Sequence, residues 1–283
     1  MLPTDLSAQV KMRNSAVISG LTIMLLLILS MPPVSNTTAQ TRSVTEVILI
    51  PAGPFWMGSD SGPPDERPRH RVQLAAYYID RTPVTHSQFT EFLNHSGHVN
   101  AKGERLFDID DPDARIHKKS DRWVTDSGFE NNPVVEVSWN GARDYCGWAS
   151  KRLPTEAEWE KAARGTDGRK FPWGEDLPDR SKAQFNAAWN ETAPVGKHPQ
   201  GASPYGVLDL AGNAWEWVSS AYTPYPYDSQ DGREAPTLGP ERVTRGGGQD
   251  SGPEHLTTSY RGARLSRNFR SGHHNIGFRC ARS

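Results

Sequence analysis

Cysteine is scarce in this sequence: Cys146 and Cys280 are the only two among 283 residues. Structural zinc usually takes four ligands, so two thiols alone do not make such a site. An excess of charge of one sign is also missing. Lysine and arginine number 32 and aspartate and glutamate 33, a net of -1, which argues against a basic nucleic-acid footprint. Only 35% of the residues are apolar, which excludes a multispanning membrane protein. No heptad or fixed-period repeat recurs, so coiled coils and repeat architectures find no support. Glycine, proline and tryptophan are plentiful instead, at 25, 22 and 9 residues, and describe a loop-rich globule with an aromatic core. The length suffices for one large domain or two ordinary ones.

There is one long apolar run. Residues 16–31 form an uncharged stretch of 16 residues that follows Lys11 and Arg13 and is broken by Pro32 and Pro33. A positive flank, a short apolar run and a breaker make a secretory signal, and the run is short for a spanning helix. Translation can start at Met12, and Thr37-Thr38-Ala39 offers a small-residue cleavage pattern. The expected division is a leader over 1–39 and a single domain over 40–283. The mature chain is then exported, periplasmic or secreted, with no stable membrane span. An uncleaved N-terminal anchor is the alternative, and either way the folded part lies outside the cytoplasm. In that compartment two thiols are expected to pair as a Cys146–Cys280 disulfide. Two buried free thiols would be the other reading.

Beyond the leader no linker divides the chain. Val47 to Ile50 reads as a buried strand ended by Pro51-Ala52-Gly53. Val72 and Leu74 alternate with Arg71 and Gln73, a half-buried strand leading into Tyr77-Tyr78-Ile79. Ser138 can cap a helix whose apolar face is Ala142, Tyr145, Cys146 and Ala149. Thr155 and Glu158 make a capping box for a second helix that stops at Gly165. The remainder should be short strands joined by long ordered loops. Residues 101–129 are charged and unpatterned and read as a surface insertion.

Several segments are familiar when taken in order: IPAGPFWMGS (50–59), PRHRVQLAAYYIDRTPVTHSQFTEFLN (68–94), NPVVEVSWNGARDYCGWASKRLPTEAEWEKAARG (132–165), FPWG (171–174), APVGKHPQGASPYGVLDLAGNAWEWV (193–218), RGGG (245–248) and GFRCA (277–281). Together they resemble the sulfatase-modifying-factor family, typified by the formylglycine-generating enzyme, over roughly residues 46 to 283. The resemblance implies an α+β fold, a C-type-lectin-like variant with little regular secondary structure. In catalytic members two cysteines after the RGGS segment bind copper(I), a soft ion that prefers thiolates. Those positions fall here on Ser251 and Leu256. Neither supplies a thiolate, so no copper is expected at that site and formylglycine synthesis is disfavoured. The two cysteines present match the family's structural disulfide. The thiohistidine sulfoxide synthases of the family carry iron on a separate domain, whose H-x-x-x-H-x-E pattern is missing from this sequence. A periplasmic branch acting in siderophore-chromophore maturation lacks the cysteine pair and is similar in compartment and length.

Asp209 and Glu216 bracket a Gly-Asn turn and offer hard oxygens, which reads as a structural calcium site. The resemblance implies Asp209, Gly212, Ala214 and Glu216 as ligands, the middle two through backbone carbonyls, and it matches Asn186 to the first ligand of another calcium site. A carboxylate pair capping a tight turn is the other reading. Asp250, Glu254 and His255 stand beside the missing cysteines and are candidates for acid–base work, with His273 and His274 near the C-terminal strand. Adjacent histidines on extended chain face opposite ways, so a solvated pair is expected. Trp139, Trp148, Trp159, Trp173, Trp215 and Trp217 are expected in the core. The YTPYPY loop (222–227) can rim a groove, and Arg261, Arg264, Arg267 and Arg270 can face an anion or water. Two classes of function stay open. One is a tailoring or maturation factor, an oxidoreductase of the family acting without the copper–cysteine pair. The other is a catalytically silent lectin-like module that binds a peptide or small molecule.

Overall fold

Short apolar stretches bounded by glycine and proline set the strands. The computed structural model describes residues 45–237, 241–262 and 273–283. The expected leader and Arg264, Arg267 and Arg270 lie outside them. In chain order the elements are β1 (Val47–Ile50), β2 (Gly53–Met57), β3 (His70–Leu74), β4 (Tyr77–Asp80), α1 (His86–Ser96), β5 (Ile116–Lys119), β6 (Arg122–Thr125), α2 (Trp139–Trp148), α3 (Glu156–Arg164), β7 (Trp215–Ala221), β8 (Arg242–Arg245), β9 (Ile276–Phe278) and β10 (Ala281–Arg282).

The strands form small sheets. β4 sits between β1 and β10, pairing Ile50 with Tyr77 and Ala281 with Ile79. β7 sits between antiparallel β8 and parallel β9, so Glu216 lies opposite both Arg245 and Gly277. β2 with β3 and β5 with β6 are antiparallel pairs. β1 is therefore an edge strand, and Leu49 is 50% exposed where the apolar run suggested full burial.

The helices begin where the capping residues say they should. Thr85 with Gln88 and Thr155 with Glu158 form reciprocal capping boxes, and the Ser138 hydroxyl accepts the Gly141 N–H. α3 ends at Gly165, whose φ of +67° suits a residue without Cβ. α1 and α2 pack Phe89, Phe92 and Tyr145 against Trp217 and Phe278. Cys146 and Cys280 are joined with Cα atoms 5.6 Å apart, tying α2 to the C-terminal strands. α3 buries Trp159 and Ala162 against Val218 and Val243.

The stretch 101–129 corrects its reading as a surface insertion. Leu106, Phe107, Ala114, Ile116 and Trp123 join the main core. A Cβ at Gly141 would stand 2.0 Å from the Leu106 carbonyl oxygen, so α2 accepts this segment only where a glycine lets the backbones touch. Four of the tryptophans expected inside (Trp139, Trp159, Trp215 and Trp217) are buried, while Trp148 and Trp173 are half-buried.

Candidate functional site

β7 and the turn before it were read as a calcium cage, and the side chains are disposed otherwise. Glu216 is 1% exposed. Its Oε1 accepts from Arg279 Nη2 at 2.6 Å, and its Oε2 accepts from Arg279 Nε at 2.7 Å and Trp159 Nε1 at 2.8 Å. The rest of the Arg279 fork donates to the carbonyls of Asp80, Arg81, Leu208 and Asp209. Asp209 accepts the Gly196 N–H through Oδ2 at 2.6 Å. Burial lifts its carboxyl to about 6, with the Gly196 bond and Arg279 opposing the rise. The positive charge on Glu216 is thus Arg279, which also reaches the Asp209 backbone carbonyl. A calcium cage that uses both Asp209 and Glu216 does not fit these residues. The Gly212 carbonyl accepts the Ala214 N–H, Ala214 is buried, and Asn186 is exposed with φ of +44°. Among the described residues no three His, Cys, Asp or Glu side chains group to hold a metal.

The two thiolate positions of the resemblance have also become framework. Ser251 Oγ accepts the Gly248 N–H at 2.9 Å. Leu256 is wholly buried against Phe171, Ala183, Phe185 and Ala211. A copper(I) centre held by thiolates does not fit here.

The short helical turn Pro253–Leu256 that buries Leu256 turns Glu254 and His255 the other way, into a cleft of about 540 Å³. Its walls include Glu66, Arg164, Lys170, Glu175, Ser259 and Tyr260. The His255 ring meets the Tyr260 ring edge-on at 4.7 Å, and its Nδ1 lies 3.7 Å from Glu254 Oε1. Glu66 is 2% exposed, and its Oε1 has no hydrogen-bond partner. Burial pushes its carboxyl above the ordinary value, while the Ser259 hydroxyl and the Arg245 guanidinium pull it back.

Beneath the cleft the other buried charges are paired. Glu160 receives Arg245 and Arg164, and Glu156 receives Arg261 Nε at 2.7 Å. Arg261 and Arg245 outweigh burial and hold the Glu156 carboxyl below its usual range. Arg261 is 2% exposed and lies 4.3 Å from the rings of both Tyr222 and Tyr225. This corrects two expectations. Arg261 faces neither an anionic ligand nor water but the internal Glu156 carboxylate, and the YTPYPY loop clasps this guanidinium instead of rimming a groove. Tyr222 donates to Asp65, Tyr225 to Glu156 and Tyr227 to Glu234, which fixes the loop.

Of the acid–base candidates, Glu254 and His255 reach the cleft and Asp250 does not. Asp250 accepts from His274 Nε2 at 3.2 Å and Asn275 Nδ2 at 3.1 Å, and these bonds hold its carboxyl low. His274 stacks on Trp189 with ring centres 3.5 Å apart, whereas the neighbouring His273 receives the Glu136 N–H at its carbonyl. Glu66, Ser259 and Tyr260 were missed. Glu66 lies in a Pro-rich turn without periodicity, and the one signal available was its pairing with Asp65 inside a run otherwise built of prolines and glycine.

Small sheets around capped helices, with long ordered loops, define the C-type-lectin-like variant of the formylglycine-generating-enzyme type. The chain belongs to the sulfatase-modifying-factor family: residues 33–283 match the sulfatase-modifying factor enzyme 1-like domain. It is 37% identical over 243 residues to the serine/threonine-protein kinase pkn1 of Chlamydia caviae, covering 84% of this chain and 38% of that one. The chain therefore spans about two fifths of the chlamydial kinases it matches. It is 35% identical over 295 residues to the formylglycine-generating enzyme of Streptomyces coelicolor, covering 86% of this chain and 91% of that enzyme. The structure of PvdO from Pseudomonas aeruginosa superposes with a TM-score of 0.62 at 27% identity, over 84% of this chain and 94% of PvdO.

Proposed function

We propose that this protein is an exported tailoring or maturation factor of the sulfatase-modifying-factor family, of the kind that matures a siderophore chromophore. It works on a peptide or small molecule in the Glu66–His255–Tyr260 cleft without thiolate-bound copper. The observation that carries this reading is Leu256. A position that must be an accessible thiolate for copper chemistry is a buried core side chain, while the residues just before it line a cleft with ionisable groups. Glu66 and His255 can orient a substrate and exchange protons with it.

The test has two arms. Purified protein with copper should leave the cysteine of a C-x-P-x-R sulfatase peptide unchanged. A strain deleted for the gene should accumulate an unprocessed small molecule or peptide in its exported fraction. Wild type should restore the profile and His255→Ala should not. An unchanged exported profile in the deletion strain, or formylglycine formed by the purified protein, would overturn the reading. The match to only part of the chlamydial kinases supports a second reading, a binding module that larger proteins also carry. In that case the protein should retain its ligand unaltered.

A further inference from the structure

We propose that the cleft is an amine site, in which an ammonium group on the ligand donates to Glu66 Oε1 while the ligand body lies against Tyr260 and His255. This rests on the cleft being the working site and adds the chemical class of what enters it.

The first support is the pattern of unmet hydrogen bonds. A buried carboxylate oxygen without a donor is costly, and native structures keep few of them. Glu156 and Glu160, buried nearby, are served by arginines, whereas Glu66 Oε1, buried in the cleft wall, has no partner. Neither cation in the wall donates to that oxygen. Arg164 donates to the carbonyls of Trp56, Gly58 and Gly168 and to Glu160, and Lys170 Nζ lies 5.3 Å over the Phe171 ring. Among the described residues none donates to Glu66 Oε1, and that is the place left to a ligand group.

The second support is Gly62. Its φ is not in the left-handed region, so its backbone does not require glycine. A Cβ there would stand 2.3 Å from Glu66 Oε2 and 3.2 Å from Oε1, so any other residue would press on the carboxylate. Glu175 and Glu254 on the same cleft add negative potential that favours a cation. The Tyr260 ring offers a face that an ammonium-bearing aromatic can use. Burial raises the Glu66 carboxyl, and an incoming positive charge offsets that cost.

Isothermal titration of the exported protein with benzylamine, benzyl alcohol and benzoate at neutral pH tests this. Benzylamine should bind about tenfold or more tightly than benzyl alcohol, and benzoate should not bind, because only the ammonium supplies the charged donor. Glu66→Gln should weaken benzylamine binding about tenfold or more, and Gly62→Ala should do likewise with the carboxyl retained. Glu254→Gln, which removes only a solvent-screened part of the cleft's negative potential, should weaken binding by less than about threefold. Equal binding of the amine and the alcohol, tighter binding of benzoate, no binding of any probe, or benzylamine binding untouched in both Glu66→Gln and Gly62→Ala would overturn the proposal. Equal binding that is lost in Tyr260→Ala would reject the amine and leave the cleft a ligand site. An unchanged exported profile in the deletion strain, with amine binding intact, would strike the functional reading alone.

Discussion

Glu216 and Glu66 are both glutamates with almost no exposed surface, 1% and 2%, yet the protein treats them in opposite ways. Glu216 is enclosed by one arginine and one indole N–H, and the same arginine ties four backbone carbonyls around it. Glu66 opens onto a cleft with one oxygen unserved. The first arrangement has the marks of framework: every donor and acceptor is used, and nothing can enter without breaking it. The second has the marks of a site, because a carboxylate oxygen in a cleft wall is left without a donor. Two equally buried carboxylates are separated by what is left unpaired, not by depth.

The comparison can be pressed hardest next to Arg279. Cys280 closes a loop of sequence separation 134, so Cys280→Ser should release unfolded-state entropy worth roughly 5 kcal/mol in the ideal loop model. Urea unfolding would read this directly, and a loss below about 1 kcal/mol would contradict the clamp. Arg279→Met should cost about 3–5 kcal/mol, since it strands Glu216 as an uncompensated buried charge. A near-neutral result would show that Glu216 is not held as described. Asp209 gives a slightly smaller effect with a defined pH window. Its carboxyl sits near 3.8 when unfolded and about 6 when folded, so the folded state binds the proton more tightly. That stability is fully present below about pH 4 and is lost as pH rises through 6, a total of roughly 3 kcal/mol. Asp209→Asn should therefore gain on wild type as pH rises from 4 to 7, and parallel stability curves would refute the shift. The smallest effect is expected for calcium. With Arg279 as the resident cation, EGTA should move the melting temperature by less than about 1 °C, since only a bound ion could stabilise by mass action. A loss of several degrees would restore the calcium reading.

Local signals carried the framework further than the site. Ser138, Thr155 and Gly165 marked α2 and α3 because capping is a short-range matter of one side chain and one turn. The T-x-x-Q box of Thr85 and Gln88 ahead of α1 is a signal of the same short range. The disulfide matched the only two cysteines available. The stretch 101–129 failed because its core residues are scattered among charges, and its burial depends on Gly141 meeting Leu106 across a long separation. The calcium reading had the same short reach. It took two carboxylates near in sequence, but the cation on Glu216 comes from Arg279, 63 residues beyond it. The cleft was half legible: Glu254 and His255 stood beside the lost thiolates. Glu66 and Tyr260 arrive through tertiary contacts that no spacing announces, so the site's central carboxylate was invisible.

The most direct measurement sets stability against function in Glu66→Gln. A buried carboxylate left half-served contributes nothing to folding, so the amide should leave the melting temperature equal to wild type or higher. The same variant should fail to restore the exported product profile of the deletion strain. A melting temperature lowered as far as that of Arg279→Met, with function lost only in proportion to the unfolded fraction, would make Glu66 framework like Glu216 and contradict the account.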